Sequence, residues 1–186
     1  MTITHQQTIT QIRYLFEQFG YQHYDEICTQ YSHAAQCAGL ALQQKLSADT
    51  VVAAFLHDIG HLIAQQQNLT MTKQGYVNHC ELGAIFLKEN NFNAAVVAMV
   101  SQHVQAKRYL VAKNAGYEQT LSPASTLTLQ QQGGPLSLQQ ANQFAAQPYF
   151  EEILQLRELD DCAKDPNMHI EPLSFWLDYL DNYLIS

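Results

Sequence analysis

Apolar residues recur every three to four positions through TITQIRYLFEQF (8–19), SHAAQCAGLALQQ (32–44), DTVVAAFLHDIGHLIAQ (49–65), HCELGAIFLKE (79–89), NAAVVAMVSQHVQAKRYLV (93–111), LQQANQFAAQ (138–147) and SFWLDYLDNYLI (174–185). This is the spacing of one face of an α-helix, and no stretch keeps the two-residue alternation of a strand. The pattern predicts an all-α fold, a single-domain helical bundle over 1–186. Ser47 or Asp49 is placed to cap the helix through VVAAF, and Ser137 the helix through LQQANQ, because a short side-chain oxygen satisfies the free amides of a first turn. QQQGGPLS and KDPNMHIEP break the pattern with Gly-Gly-Pro and with two prolines that must end the preceding helix. Residues 113–134, KNAGYEQTLSPASTLTLQQQGG, are the least periodic and are expected to form a loop lining a binding site. No internal repeat is visible, and the glutamine runs at 65–67 and 130–132 are short.

One helical stretch does not read like the others. FLHDIGHL (55–62) sets His57, Asp58 and His61 into an apolar run, and buried polar groups of this kind are costly unless something pairs with them. His33, His79, His103 and Asp160 supply further imidazoles and a carboxylate from other helices or their ends. Four histidines with two carboxylates are enough for two cations, with Asp58 bridging because a carboxylate has two oxygens. Such donors suit iron, manganese, zinc and similar ions. Each histidine taken singly also reads as an ordinary hydrogen-bonded residue, and His5 and His169 are given no role.

Composition narrows the class. The formal net charge is −8 with only nine lysines and arginines, which disfavours nucleic acid as a partner. No apolar stretch approaches the roughly 20 residues that cross a bilayer, and MTITHQQTIT lacks the charged and apolar regions of a signal peptide. Cys28, Cys37, Cys80 and Cys162 form no C-x-x-C pair, so reduced thiols in a cytoplasmic protein are expected rather than a zinc ribbon. Cys37, one turn from His33, is expected to pack as a small hydrophobe.

His33, the doublet His57-Asp58 and Asp160, in that order, resemble the H…HD…D pattern of the HD-domain superfamily of helical metalloproteins, and His79 and His103 match the extra histidines of its binuclear members. Most of that superfamily are phosphohydrolases. LSPASTLTLQQQGGP, LRELDDCAK and DEICTQYSH are similar instead to its mixed-valent di-iron oxygenases related to myo-inositol oxygenase, in the branch that oxidises 1-hydroxyphosphonates. The resemblance runs from about residue 20 to about residue 165. It implies two iron ions, Fe(II) and Fe(III), with dioxygen as co-substrate. One iron would be held by His33, His57, Asp58 and Asp160, the other by Asp58, His79 and His103. Asp161 is the neighbouring alternative to Asp160, which keeps the three-residue step from Arg157 and the four-residue step to Lys164.

The same resemblance implies that a small organophosphonate meets His61, Lys107, Ser125, Thr128 and Arg157, with Asp58, His61 and Lys107 nearest the chemistry. Glu26 matches the acidic residue that attracts an amino or trimethylammonio end. The branch carries Tyr-x-x-Glu, its tyrosine closing an iron site before substrate arrives, whereas His23 stands three residues before Glu26 and Tyr24 two. Either is a candidate gate. Charge and geometry agree with an anion site, since a guanidinium, an ammonium and hydroxyl donors suit a dianion. Lys107 lies one turn after His103 and His61 one turn after His57. Val51, Phe55 and Val100 would keep water from the centre. Plainer readings stand beside these: Lys107, Arg108 and Lys113 as a solvated helix face, Ser125 and Thr128 as loop caps, and Arg157 as a partner of carboxylates on its own helix. An HD-type metal-dependent phosphohydrolase and a non-catalytic binding module with structural metals remain the rival functions.

Overall fold

The computed structural model describes residues 4–185. Ten helices follow in order: α1 (His5–Phe19), α2 (Gln30–Gln43), α3 (Ala48–Leu56), α4 (Ile59–Gln66), α5 (His79–Glu89), α6 (Ala94–Lys113), α7 (Pro123–Gln131), α8 (Leu138–Ala145), α9 (Phe150–Cys162) and α10 (Leu173–Ile185). A 3-10 turn at Tyr117–Thr120 precedes α7. Among the described residues there is no strand, only an isolated bridge between Thr72 and Gly75. The fold is all-α, as the periodicity predicts, and among the described residues no helix is long and apolar enough to cross a membrane.

Side-chain caps open five of the ten helices. Ser47 rather than Asp49 caps α3, its hydroxyl accepting from the Thr50 amide, while Asp49 sits in the first turn. Ser137 and Gln140 form a capping box on α8, and Thr4 with Gln7 does the same for α1.

Two departures from the periodic pattern matter for function. The stretch 49–65 is two helices, not one: α3 ends at Leu56 and α4 begins at Ile59, with Asp58 at φ −102°, ψ 8° between them. Apolar spacing continues across the break, so the pattern alone cannot register it. Residues 113–134 hold α7, started by the Ser122 cap and by Pro123 in the first turn. Its buried positions are Ala124, Ser125 and Leu129, a small and partly polar face, which is why the segment reads as aperiodic.

α3 is the axis of the core. Every residue from Thr50 to Leu56 is buried, and the Phe55 ring lies between Phe16 (centroids 4.8 Å apart) and Trp176 (5.2 Å). Burying one such side chain contributes about 1.5–3 kcal/mol. α3 packs against α2, α6 and α9. These neighbours bring His33, His103 and Asp160 to the end of α3, where His57 follows.

α4 meets α5 through Gly60. A Cβ built there falls 1.9 Å from the His79 carbonyl oxygen, so only glycine lets the HD segment lie against the start of α5. Gly60→Ala is therefore expected to cost at least the about 1–3 kcal/mol typical of overpacking, read as a lowered melting temperature, and to separate His57 and Asp58 from His79.

Candidate metal centre

Four histidines are oriented by the same device. The Nδ1 atoms of His57, His79 and His103 each lie 2.9 Å from the backbone carbonyl three residues earlier, at Ala54, Tyr76 and Val100. His33 Nδ1 lies 2.9 Å from the Ala163 carbonyl at the end of α9. A carbonyl only accepts, so each Nδ1 carries a hydrogen, and in the neutral imidazole Nε2 is left with a bare lone pair. Those lone pairs face one another, with 3.1 Å between His33 and His57 Nε2 and 3.2 Å between His79 and His103 Nε2. Two acceptors at that distance repel unless something positive lies between them.

Asp58 lies across both pairs. Its Oδ2 is 3.5 Å from His57 Nε2 and 3.9 Å from His33 Nε2, and its Oδ1 is 3.3 Å from His79 Nε2 and 3.5 Å from His103 Nε2. Asp160 Oδ1 closes the first set at 3.2 Å from His33 Nε2. Donors bound about 2.1 Å from one cation lie about 3.0–3.5 Å apart, a span kept by all of these contacts except the 3.9 Å from Asp58 Oδ2 to His33, so both sets suit a metal ion with one Asp58 oxygen facing each. Burial opposes ionisation of Asp58, but the surrounding imidazoles, His57 foremost, hold it well below the usual carboxylate range. Burial likewise takes His57 down to about 4, leaving it neutral and able to ligate.

Asp161 faces elsewhere. Arg157 Nη1 donates to Asp160 Oδ2 at 2.7 Å, while its Nε donates to Asp161 Oδ2 at 3.1 Å and to the Tyr117 hydroxyl at 3.2 Å. The buried guanidinium thus pairs with both carboxylates of its own helix, the plainer of the two readings of Arg157, and also lines the recess above the histidines.

That recess is lined by Tyr24, Glu26, His61, Lys107, Ser125, Thr128, Arg157 and Lys164 together with the metal-facing residues. Lys107 is buried, not a solvated helix residue, and its Nζ donates to Thr128 Oγ1 at 2.8 Å and to the Ser125 carbonyl at 3.3 Å. Ser125 and Thr128 are helix residues of α7, and Ser122 is the cap. Arg108 bonds the Gly133 and Gly134 carbonyls outside the recess, and Lys113 is exposed.

His61 is turned the other way from the four ligating candidates. The Tyr76 amide donates to its Nδ1 at 2.8 Å, so its hydrogen sits on Nε2, 3.9 Å from Asp58 Oδ1. Gly75, at φ +97°, permits this, since a Cβ there would fall 2.5 Å from the His61 ring. The two candidate gates separate plainly. His23 is exposed and outside the recess, whereas the Tyr24 ring lies 5.1 Å from His61 with its hydroxyl buried and unpartnered. Burial, with Asp58 adding to it, raises the Tyr24 phenol well above its ordinary value. Tyr24 and Asp25 both adopt positive φ, 43° and 60°. Strained backbone of this kind concentrates at functional sites.

Comparison with known proteins agrees with this geometry: residues 31–130 match the HD domain. The chain belongs to the HD-domain family. It is 37% identical to an uncharacterised protein of Acanthamoeba polyphaga mimivirus, over 96% of this chain and 82% of the viral one. It is 34% identical to the [1-hydroxy-2-(trimethylamino)ethyl]phosphonate dioxygenase (glycine-betaine-forming) of Leisingera caerulea, over 87% of this chain and 82% of that enzyme. It is also 34% identical to the hydroxymethylphosphonate dioxygenase of Gimesia maris, over 89% of this chain and 82% of that enzyme. This HD-domain protein is an enzyme of the oxygenase branch.

The HD-domain centre also contains residues that the sequence pattern did not single out. Cys80 Sγ lies 3.4 Å from His79 Nε2 and 3.7 Å from both ring nitrogens of His103, close enough to join those two histidines as a further candidate ligand. Burial opposes its ionisation, but His103 and His79 bring the thiol down to about 5. Ser122 and Tyr117 enter through the cap of α7 and the Arg157 contact. Lys164, four residues after Asp160, also reaches into the recess. All four cysteines are free.

Two outcomes follow from this geometry. Asp58→Ala removes the oxygen offered to each set, and metal analysis is expected to show loss of both ions rather than one. Lys107 is held down to about 8 by burial and then by Arg157, so it is protonated below that pH and neutral above it. Affinity for a small dianion entering the recess is expected to fall as pH rises through about 8, and Lys107→Met to weaken binding roughly ten- to a hundredfold and flatten that dependence, both read as dissociation constants against pH.

Proposed function

We propose that the enzyme is a mixed-valent di-iron oxygenase that cleaves the carbon–phosphorus bond of a small 1-hydroxyalkylphosphonate with dioxygen, giving phosphate and a carboxylic acid. The observation that carries this reading is the joining of two sets of bare imidazole lone pairs through Asp58, directly beneath a recess lined by lysine, arginine and hydroxyl groups. The activities for which the two bacterial relatives are named support the same substrate class. His33, His57, Asp58 and Asp160 would hold one iron, and Asp58, His79 and His103 the other. Bound Fe(II) and Fe(III) would supply the activation and reduction of dioxygen.

The chain's own residues bind, orient and shield. Lys107, with Thr128 beside it, meets the phosphonate oxygens, and Ser125 and Arg157 border the same space. His61 donates its Nε2 hydrogen toward the substrate, a role its Tyr76 contact imposes. Tyr24, two residues from Glu26, is the gate, displaced as substrate enters. Val104 and Ala124 border the recess and limit water there, whereas Val51, Phe55 and Val100 lie in the hydrophobic core rather than along its wall. The overall change balances: the hydroxyl-bearing carbon loses four electrons to one dioxygen, its bond to phosphorus breaks, and both oxygen atoms end in the carboxylic acid and phosphate. Free thiols at all four cysteines suit a reducing compartment such as the cytoplasm.

The test is iron-loaded enzyme with hydroxymethylphosphonate and amino-substituted 1-hydroxyphosphonates in an oxygen electrode. One dioxygen consumed per phosphate released, with a mixed-valent paramagnetic signal in the resting enzyme, is the expected result. Phosphate esters hydrolysed without oxygen uptake would replace this reading with an HD-type phosphohydrolase, whose metals activate water instead.

A further inference from the structure

Glu26 does not face the recess as a free carboxylate. Its Oε1 accepts from Lys164 Nζ at 2.8 Å and from Ser122 Oγ at 2.7 Å. Lys164 Nζ also donates to Ser122 Oγ at 3.2 Å and to Ser125 Oγ at 3.1 Å, so four side chains from three parts of the chain close on one another. Both charged groups are largely sequestered, Lys164 at 19% exposed and Glu26 at 24%. Sequestration strengthens such a pair relative to an exposed one.

Among the described residues, the carboxylates lining the recess are Glu26, Asp58 and Asp160. Asp58 and Asp160 face the histidines, and Asp160 is also bonded by Arg157. Asp25, next to Glu26, lies outside, where its Oδ2 accepts from the Gln74 amide at 2.5 Å. The cations lining the same space are Lys107, Arg157 and Lys164. Burial would lower Lys164, but Asp160 and Glu26 outweigh it and keep the ammonium charged. An ammonium group entering near Glu26 would therefore find a satisfied carboxylate and a like charge beside it. Like charges that close disfavour binding.

We propose that Lys164, by pairing directly with Glu26 and being held there by the Ser122 and Ser125 hydroxyls, makes this enzyme select small 1-hydroxyphosphonates without an ammonium substituent. The inference rests on the phosphonate reading above and deepens it. Identity alone is neutral on the point, being 34% both to the enzyme named for a trimethylamino substrate and to the one named for hydroxymethylphosphonate.

Two measurements test it on the full iron-loaded chain. In the first, kcat/KM from oxygen uptake is compared for hydroxymethylphosphonate and 1-hydroxy-2-aminoethylphosphonate. The wild type should favour hydroxymethylphosphonate at least tenfold, Lys164→Met should move the ratio at least tenfold toward the ammonium substrate, and Glu26→Gln should move it the other way. In the second, anaerobic calorimetry compares methylphosphonate with 2-aminoethylphosphonate, neither bearing the reactive hydroxyl, and the same ordering of affinities is expected. Preference for the ammonium compounds in the wild type, or a ratio that neither variant moves, overturns the proposal. Because the two variants act in opposite directions, a Lys164 variant that fails to fold leaves the Glu26→Gln arm decisive. Should no hydroxyphosphonate drive oxygen uptake while methylphosphonate still binds more tightly than its amino analogue, the oxygenase reading fails and the charge selection stands. Absence of binding by both overturns each.

Discussion

The arrangement depends on the confrontation of bare imidazole nitrogens around Asp58. Four rings commit their Nδ1 hydrogens to backbone carbonyls, and the opposite nitrogens are driven together at 3.1 and 3.2 Å. Without cations this is an expensive way to build an interior, since lone pairs repel and a buried carboxylate loses its water. With cations the same geometry becomes a ligand cage whose tautomers are already set. The backbone carbonyls therefore choose which nitrogen binds before any metal arrives. His61, whose Nδ1 accepts a hydrogen bond, is excluded from that set and kept as a donor.

Holding such groups together needs rigid elements. α3, buried from Thr50 to Leu56, packs on the helices that carry His33, His103 and Asp160, so three of the candidate ligands are referred to one apolar core. The fourth direction, from α5, is set by Gly60 lying against the His79 carbonyl. Gly75 plays the matching part for His61. Backbone permissiveness at two glycines thus decides side-chain geometry several residues away.

Above the metal-facing floor the charges are divided. Lys107 is bonded to neutral oxygens and so keeps its attraction for an incoming anion, whereas Arg157 and Lys164 are already engaged with carboxylates. Arg157 shows how two readings of one residue can coexist: it pairs within its own helix, and in doing so aims Asp160 at His33. α7 unites these features, because its small, polar buried face lets Ser125 and Thr128 meet two lysines where a leucine face would have sealed the site.

The helical class, most helix spans and the unusual chemistry of His33, His57, Asp58, His79, His103 and Asp160 were legible in the chain itself, because burial periodicity and residue type are local properties. α7 was not legible, since a helix whose hidden face is polar has no apolar stripe to read. Nor was the break after Leu56, which apolar spacing passes over without a trace. That Asp160 rather than Asp161 faces His33, that Tyr24 rather than His23 lines the recess, the approach of Cys80, and the meeting of Lys164 with Glu26 across 138 positions are features of the packing that no local pattern carries. Sequence determines which groups are available and on which faces they start. Packing decides which lone pairs point at one another, because that direction depends on carbonyls and glycines belonging to other helices.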